Sequence, residues 1–357
     1  MKKLLKKIFS VKEDWCHYVI SILGITIKIR SLKLTIKNLF KTTGSKRIIS
    51  ASKSFIFSNR EKLTTNQKIW FLSQKFYEDV GYFPNIKHPK SFNEKLNWMK
   101  LNYYNPIESR AIDKYEFKKY INEKLGSGYV VPLIGVYKDV NDIDFSKLPD
   151  KFVIKTTGNG SLTGVEIVKD KSLLDTDFIK YKFNNLLQEW NTVYYSCLSK
   201  GYETIQPRII IEEYVEEISG QLYDYKFFCF HGNAKFVYVA VDHFPGVVSK
   251  ISLYDLDWKK LPVQYNNHPP IDREIPKPQN FDKMVELAER LAEDFPFVRV
   301  DFYNVKDKIL VGELTFTPGG AFGAYSPRSW DYKMGTWLDL NRLPQKYVNV
   351  LPEFKEG

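Results

Sequence analysis

Hydrophobic and polar positions follow a helical period through the first part of the chain body and a strand period through most of the rest. In TTNQKIWFLSQKFYEDV (64–80), apolar residues fall at 69, 70, 71, 72, 76 and 77, a helical pattern. A second helix begins in HPKSFNEKLNWMKLNYY, where Ser91 and Glu94 have the spacing of a capping box. IDKYEFKKYINEKLG gives a third, started by Asp113 and stopped by Gly126. These predict a helical region over 63–150. Further on, FDKMVELAERLAEDF (281–295) carries Met284, Leu287, Ala288 and Leu291 on one face, which suits packing.

The period of two appears first in KFVIKTTGNGSLTGVEIVKD (151–170), a strand, a Gly-rich loop with Gly158, Gly160 and Gly164, and a second strand. PRIIIEEYVEEISG (207–220) reads as a buried strand, Ile209 to Ile211, running into Glu212, Glu213, Tyr214 and Val215. LYDYKFFCFHGNAKFVYVAVD (222–242) reads as a hairpin with its turn at Gly232-Asn233, with Asp224, Lys226, Phe228 and Phe230 on one side. RVDFYNVKDKILVGEL (299–314) is another hairpin. A three-residue loop centred on Asp307 sets Asp301 opposite Glu313. SPRSWDYKMGTWLDL (326–340) predicts a short helix over the site these strands would form.

Facing carboxylates on neighbouring strands repel and need solvent or a cation. Mg²⁺ takes carboxylate oxygens together with substrate phosphates, so the pair is a candidate metal site; taken alone, a solvated surface pair fits as well. The Gly-rich loop lets backbone N–H groups approach phosphate. It lacks GxxxxGK[ST] and opens no helix, so it is neither a P-loop nor a dinucleotide fingerprint. A flap between two strands with Lys155 at its entrance suits a nucleotide, and an ordinary hairpin suits it equally.

Composition changes this picture mainly at the N-terminus. The 357 residues, 43% hydrophobic, suffice for several packed units. Cys16, Cys197 and Cys229 form no CxxC pair, and the five histidines form no HExxH site, so structural zinc and a disulfide framework are excluded as readings. Such cysteine usage suits a reducing cytoplasm. Of the 53 Lys/Arg and 42 acids, residues 1–62 hold 15 and 3, or +12; the other 295 residues hold 38 and 39, or −1. MKKLLKKIFS reads as a basic amphipathic helix, and ITIKIRSLKLTIK (25–37) as a short basic hairpin. YVISILGITI (18–27) is about half the length that spans a bilayer. The arm is expected to bind an anionic membrane surface; it carries no aromatic stacking platform for nucleic acid.

The order of motifs resembles the TupA-like ATP-grasp family, named after a teichuronopeptide biosynthesis protein. The resemblance covers about residues 70–340 and rests on FNEKLNWMK (92–100), DK (113–114), FVIK (152–155), PRIIIEEY (207–214), DYKFFCFHG (224–232), YDLDW (254–258), FPFVRVDFY (295–303), GELTF (312–316) and SPRSWDYKMG (326–335). It implies an α+β protein of the ATP-grasp fold, with two α+β subdomains (151–220 and 221–340) clamping a nucleotide. A basic arm (1–62) and helical region would precede them, and a tail (341–357) would follow. By resemblance, Lys114 and Lys155 contact ATP, Gly158 to Gly164 cover its phosphates, and Glu212, Glu213 and Val215 hold adenine, with Glu216 or Glu217 on the ribose. Asp301 and Glu313 carry Mg²⁺. Where many ATP-grasp enzymes have Asn two residues after that glutamate, this chain has Thr315. SKIS (249–252) stands where His and Arg are common in the group, before YDLDW.

The activity so implied is an ATP-dependent carboxylate–amine ligase of bacterial surface polysaccharide biosynthesis; the basic arm, outside the resemblance, would make it peripheral on the inner face of the cytoplasmic membrane. Its partners would be ATP, an anionic polysaccharide or lipid-linked saccharide acceptor, and an amino acid or other amine. Lys226, Arg299 and Arg328 would join Lys155 in neutralising charge during catalysis. The alternative is a sugar-nucleotide glycosyltransferase using Asp255 and Asp257 as a DxD motif. A carbohydrate binder or a sugar phosphotransferase also stays open at this point.

Overall fold

The computed structural model describes residues 10–14, 17–22, 25–29, 63–158, 164–188, 196–215, 223–241, 248–305 and 308–354. The chain divides into two units, Met1–Leu63 and Thr64–Gly357. In the first, β1 (Ser10–Asp14), β2 (His17–Ile22) and β3 (Ile25–Ile29) form an antiparallel sheet in that order. The amphipathic helix expected at the start lies outside the described residues except for Ser10, which opens β1. Of the basic hairpin expected over 25–37, the first limb is β3, paired back onto β2; the second limb lies outside the described residues.

The second unit begins with helices whose ends are written in the sequence. Thr64 and Gln67 form a capping box on α1 (Thr65–Val80), and Ser91 and Glu94 form one on α2 (Phe92–Asn102). After α3 (Pro106–Ile112), Asp113 Oδ1 accepts from the N–H groups of Tyr115 and Glu116 and starts α4 (Glu116–Leu125); Gly126 closes it at φ 88°. The region expected to be helical to residue 150 also yields a strand, β4 (Leu133–Tyr137). LIGVY has the β-branched and aromatic content of a strand, and β4 pairs with a segment more than seventy residues on.

That pairing builds a small sheet of order β4-β7-β5-β6, with β5 (Phe152–Thr156), β6 (Val165–Val168) and β7 (Ile209–Glu213), every contact antiparallel. One face packs Phe152, Ile154, Ile209 and Ile211 against Ile179 and Phe183 of α5 (Thr176–Gln188). The other face carries Lys155 and Glu212.

The larger sheet has order β10-β9-β8-β12-β13. Its strands are β8 (Asp224–Phe230), β9 (Asn233–Val241), β10 (Lys250–Tyr254), β12 (Phe297–Val305) and β13 (Lys308–Thr315). The β8–β9 turn is His231-Gly232, one residue earlier than expected, because both residues take positive φ (47° and 84°), as a two-residue type I′ turn requires. Phe227, Val298, Val300 and Phe302 pack on Met284, Leu287, Ala288 and Leu291 of α6 (Phe281–Ala292), the helix face read from the sequence. On the opposite face, Phe228, Phe230, Phe236 and Phe297 pack with Phe92 of α2 and Met334 of α7 (Ser329–Trp337). The contacts of α7 are thus with α2 and this apolar end of the face, not over the charged end as expected. A short pair, β11 (Gln264–Tyr265) with β14 (Tyr325–Ser326), adjoins it. Residues 348–351, expected to be a tail, are tied to the end of α2: Asn349 N–H donates to Asn102 O, and Leu351 N–H to Asn102 Oδ1.

Candidate functional site

The charged end of the large sheet is set by register. Asp301 lies opposite Glu313 on one side and Lys226 on the other. The route to the first pairing differs from the expected one. Val305 pairs with Lys308, so the turn is one residue shorter than a three-residue loop, and Phe302 pairs with Val311. A bulge at Gly312 then restores Asp301 to Glu313. Only glycine fits there: an added Cβ would stand 2.7 Å from the Tyr303 ring.

Asp301 is a charge hub. Arg299 clamps it with Nε to Oδ1 (2.7 Å) and Nη2 to Oδ2 (2.6 Å), and Lys226 Nζ reaches Oδ2 at 2.8 Å. Burial disfavours its ionisation, but the Arg299 and Lys226 charges outweigh burial and hold the carboxyl below its usual range. Burial likewise works against the charge on Lys226; Asp224 (3.2 Å) and Asp301 overcome it and raise the lysine. Arg299 Nη2 also donates to Thr315 Oγ1 (3.0 Å), whose hydroxyl donates to Glu313 Oε1 (2.9 Å). One connected network therefore joins Lys226, Asp301, Arg299, Thr315 and Glu313.

On the small sheet, Glu212 is buried and receives two ammonium groups at 2.5 Å, Lys118 on Oε1 and Lys155 on Oε2. Burial opposes its charge, yet the two lysines keep its carboxyl below the ordinary glutamate value. Each of its oxygens is thus engaged by one lysine. Lys114 has Glu313, Lys155, Glu212 and Asp113 as charged neighbours; burial lowers it and Glu313 draws it back up. Arg208 fixes the preceding residue through Asp113 (2.9 Å) and reaches Glu116 (3.4 Å). Thr157, next to Gly158 at the flap root, donates to Gln206 O (2.7 Å) and accepts from Arg208 N–H. Gly164 leads into β6, and the rest of the expected flap, 159–163, lies outside the described residues.

Other expected residues do not join these networks. Glu213 is exposed on the opposite face of β7 from Glu212, and its N–H donates to Pro132 O. The alternation of a strand makes this unavoidable for two consecutive glutamates. Val215 follows, half-buried. Gly160 and Glu216 lie outside the described residues. Arg328 makes its contacts with Tyr82, 3.7 Å from the ring centre, and with Tyr332 Oη. Asp255 accepts from Lys259 N–H (2.8 Å) and shapes a turn after β10; Asp257 is exposed.

Three participants escaped the sequence reading. Lys118 could have been found, because it shares a helix face with Ile121 and Leu125 at i+3 and i+7 and so had to be buried. Tyr202, whose phenol is raised by burial and by Glu313, carried no signal. Tyr238, opposite Lys226 on β9, was hidden in an apolar run.

A hard cation shared with a triphosphate needs one or two protein carboxylates. Asp301 and Glu313 face each other with the Thr315 hydroxyl alongside, and the three bonds to Asp301 leave lone-pair capacity on Oδ1. This donor set fits Mg²⁺ held jointly with substrate. Among the described residues no group of three or more His, Cys, Asp or Glu side chains is arranged to hold a metal ion by itself.

Two antiparallel sheets, each with a helix layer, one with Lys155 leading into the Gly-rich stretch and the other with a paired-carboxylate hairpin, fit an ATP-grasp protein. A family model described as TupA-like ATPgrasp matches residues 94–339, and the chain belongs to that family. Solved structures similar to it include the D-alanine–D-alanine ligase of Bacillus anthracis complexed with ATP, at 17% identity and TM-score 0.33, covering 58% of this chain and 55% of that one. The D-alanyl-alanine synthetase A of Vibrio cholerae O1 biovar eltor str. N16961 shows 11% identity and TM-score 0.38, covering 62% and 60%. The ATP-grasp ligase PsnB, complexed with a phosphomimetic precursor variant, Mg and ADP, shows 13% identity and TM-score 0.34, covering 60% and 53%. This chain therefore spans less than two thirds of the length of each. No curated protein matches it. Among the described residues no helix is long and apolar enough to cross a membrane.

Proposed function

We propose that this protein is an ATP-dependent carboxylate–amine ligase that modifies an anionic bacterial surface polysaccharide or its lipid-linked precursor. The observation that carries the reading is the Asp301–Glu313 pair, with Asp301 clamped by Arg299 and Lys226 and with Lys114 as a charged neighbour of both Glu313 and Lys155. Lys155, Lys114 and the flap from Gly158 to Gly164 bind and cover the triphosphate, and the backbone near Val215 receives adenine. Asp301, Glu313 and Thr315 would hold Mg²⁺, which supplies charge neutralisation at the phosphates. A substrate carboxylate oxygen attacks the γ-phosphorus and ADP leaves, giving an acyl phosphate. The amine then displaces inorganic phosphate, loses a proton and leaves an amide. Two anions meet in the first step, so Lys226 and Arg299, held in place by Asp301 and Asp224, lower the repulsion between them. A uronic acid is the carboxylate and an amino acid the amine. The basic arm, +12 over residues 1–62, would keep the enzyme at the anionic inner face of the cytoplasmic membrane.

Titration with Mg·ATP in a calorimeter tests the core of this reading. Binding is expected in the wild type and lost in Asp301→Asn, which keeps the shape and removes the charge. ADP and phosphate release with a uronic-acid polymer and an amine tests the reaction. Release of UDP or GDP from a sugar nucleotide, with no heat from Mg·ATP, would replace the ligase by a glycosyltransferase.

A further inference from the structure

The turn that follows β10 lies on the far face of the large sheet from Asp301. Tyr254 pairs with Val237 and packs with it on the α6 side. Val300 and Phe302 point to that side too, so Asp301 between them points to the other. Within YDLDW, Trp258 takes φ of 67°, a left-handed conformation that residues with side chains seldom adopt. Asp255 holds it there: its carbonyl accepts from Trp258 N–H (3.1 Å) and its Oδ1 from Lys259 N–H (2.8 Å). The half-buried indole stacks on buried Tyr254, with ring centres 4.7 Å and planes 16° apart.

The segment 271–275 frames a cavity beside these rings. Ile271 and Ile275 are buried pegs, and Asp272, Arg273 and Glu274 stand exposed between them. Side chains of the turn pin both pegs: Trp258 Nε1 donates to Ile275 O (2.8 Å) and Lys260 Nζ to Ile271 O (2.8 Å). Ser252 Oγ accepts from Ile271 N–H (3.0 Å), and Lys250 Nζ steadies Asp272 from outside (2.7 Å). The cavity measures about 380 Å³, at the small end for a ligand site, and is walled by Tyr254, Trp258, Lys260, Asp272, Arg273 and Glu274. Two cations and two carboxylates leave that wall with no net charge. A phosphate or a uronate would meet Asp272 and Glu274 as like charges. A hydroxyl instead donates to a carboxylate and accepts from an ammonium or guanidinium, so a polyol can use both kinds of group. A pyranose adds an apolar C–H face to its rim of hydroxyls, which matches aromatic rings set beside charged side chains.

We propose that this cavity binds one neutral sugar residue, with Trp258 and Tyr254 against its ring face and Asp272, Glu274, Lys260 and Arg273 on its hydroxyls. Lying across the sheet from Asp301, it would hold a saccharide chain away from the reacting atoms. That the chain is the acceptor rests on the ligase reading; the binding of the sugar does not.

Saturation-transfer NMR on the full-length protein tests this. The neutral probes are D-glucose, D-galactose, D-mannose and N-acetyl-D-glucosamine, and D-galacturonate is the acidic one. At least one neutral probe should receive saturation, most strongly at its ring C–H protons, and galacturonate should bind about tenfold more weakly than that probe. The double variant Asp272→Ala/Glu274→Ala changes two exposed positions and is expected to fold. It should bind the probe about tenfold more weakly, having lost both carboxylate acceptors. Asp301→Asn, on the other face, should bind it within about twofold of wild type. No saturation of any neutral probe, tighter binding of galacturonate, a signal unchanged in the double variant, or one lost in Asp301→Asn overturns the proposal. Absence of Mg·ATP binding in a parallel calorimetric titration would sink the ligase reading and leave the sugar site standing.

Discussion

Replacing Glu212 by glutamine removes one charge and almost no volume. Lys118 then keeps a buried ammonium with Val131 O (2.6 Å) as its remaining hydrogen-bond acceptor, and Lys155 loses the group that orients it. Removing one partner of a buried ion pair costs about 3–5 kcal/mol. The Lys118 side chain is 10% exposed and takes most of that cost, whereas Lys155, at 28%, is screened and adds about 0–1 kcal/mol. Glutamine can still accept from one lysine, so a loss of about 3 kcal/mol is expected, or roughly 6–12 °C in Tm. The pH dependence carries a sign. The folded carboxyl lies below its unfolded value, so its contribution is present above the ordinary glutamate range and is lost as the pH falls through the folded value. Thermal melts followed by circular dichroism should therefore separate wild type and Glu212→Gln at pH 7 and converge in acid. Calorimetry should show Mg·ATP binding weakened about tenfold in the variant, because Lys155 is no longer aimed. Melting temperatures within about 2 °C at pH 7 would refute the pairing of Glu212 with Lys118 and Lys155 as a source of stability.

Gly312→Ala forces a methyl into the Tyr303 ring and should cost about 1–3 kcal/mol by urea unfolding, with Mg·ATP affinity falling as the Asp301–Glu313 register shifts. Asp331 accepts from the N–H and the side-chain amide of Asn93 on Oδ1, while Oδ2 is buried without a partner, and burial lifts the carboxyl to about 6. A raised acid favours folding below its unfolded value and loses that contribution as the pH rises through 6. Asp331→Asn should therefore be more stable than wild type by about 1–2 kcal/mol at pH 8, and the gain should vanish near pH 4. Arg328→Ala should leave Mg·ATP affinity within about twofold, since its partners are Tyr82 and Tyr332; a larger change in the titration would return it to the site.

The elements legible in the sequence are those whose signals are local. The capping box at Ser91, the Asp113 start, the apolar face of α6 and the paired strands β5 and β6 need only neighbouring residues to form. What could not be read is what long-range pairing decides. LIGVY is a strand because Ile209–Glu212 supplies its partner, and the order of either sheet has no counterpart in a single stretch. At the site, the Asp301–Glu313 pairing was legible although the turn length behind it was misjudged. The lysines expected on nucleotide lie near one another. Glu212 and Glu213, read together as an acidic hinge, point to opposite faces, and the one that is buried serves the lysines.

The bulge at Gly312 separates two things a plain hairpin would lock together. In an unbroken ladder, adding or losing one residue at the tip would flip every side chain beyond it and turn Glu313 away from Asp301. Here the ladder slips once between tip and site, so the residues from Tyr303 to Leu310 obey one phase and those from Arg299 to Asp301 another. The slip makes up the one residue by which the observed turn falls short of the loop that an unbroken ladder would need to set Asp301 opposite Glu313. The acidic pair inherits its alignment from that joint, not from the tip.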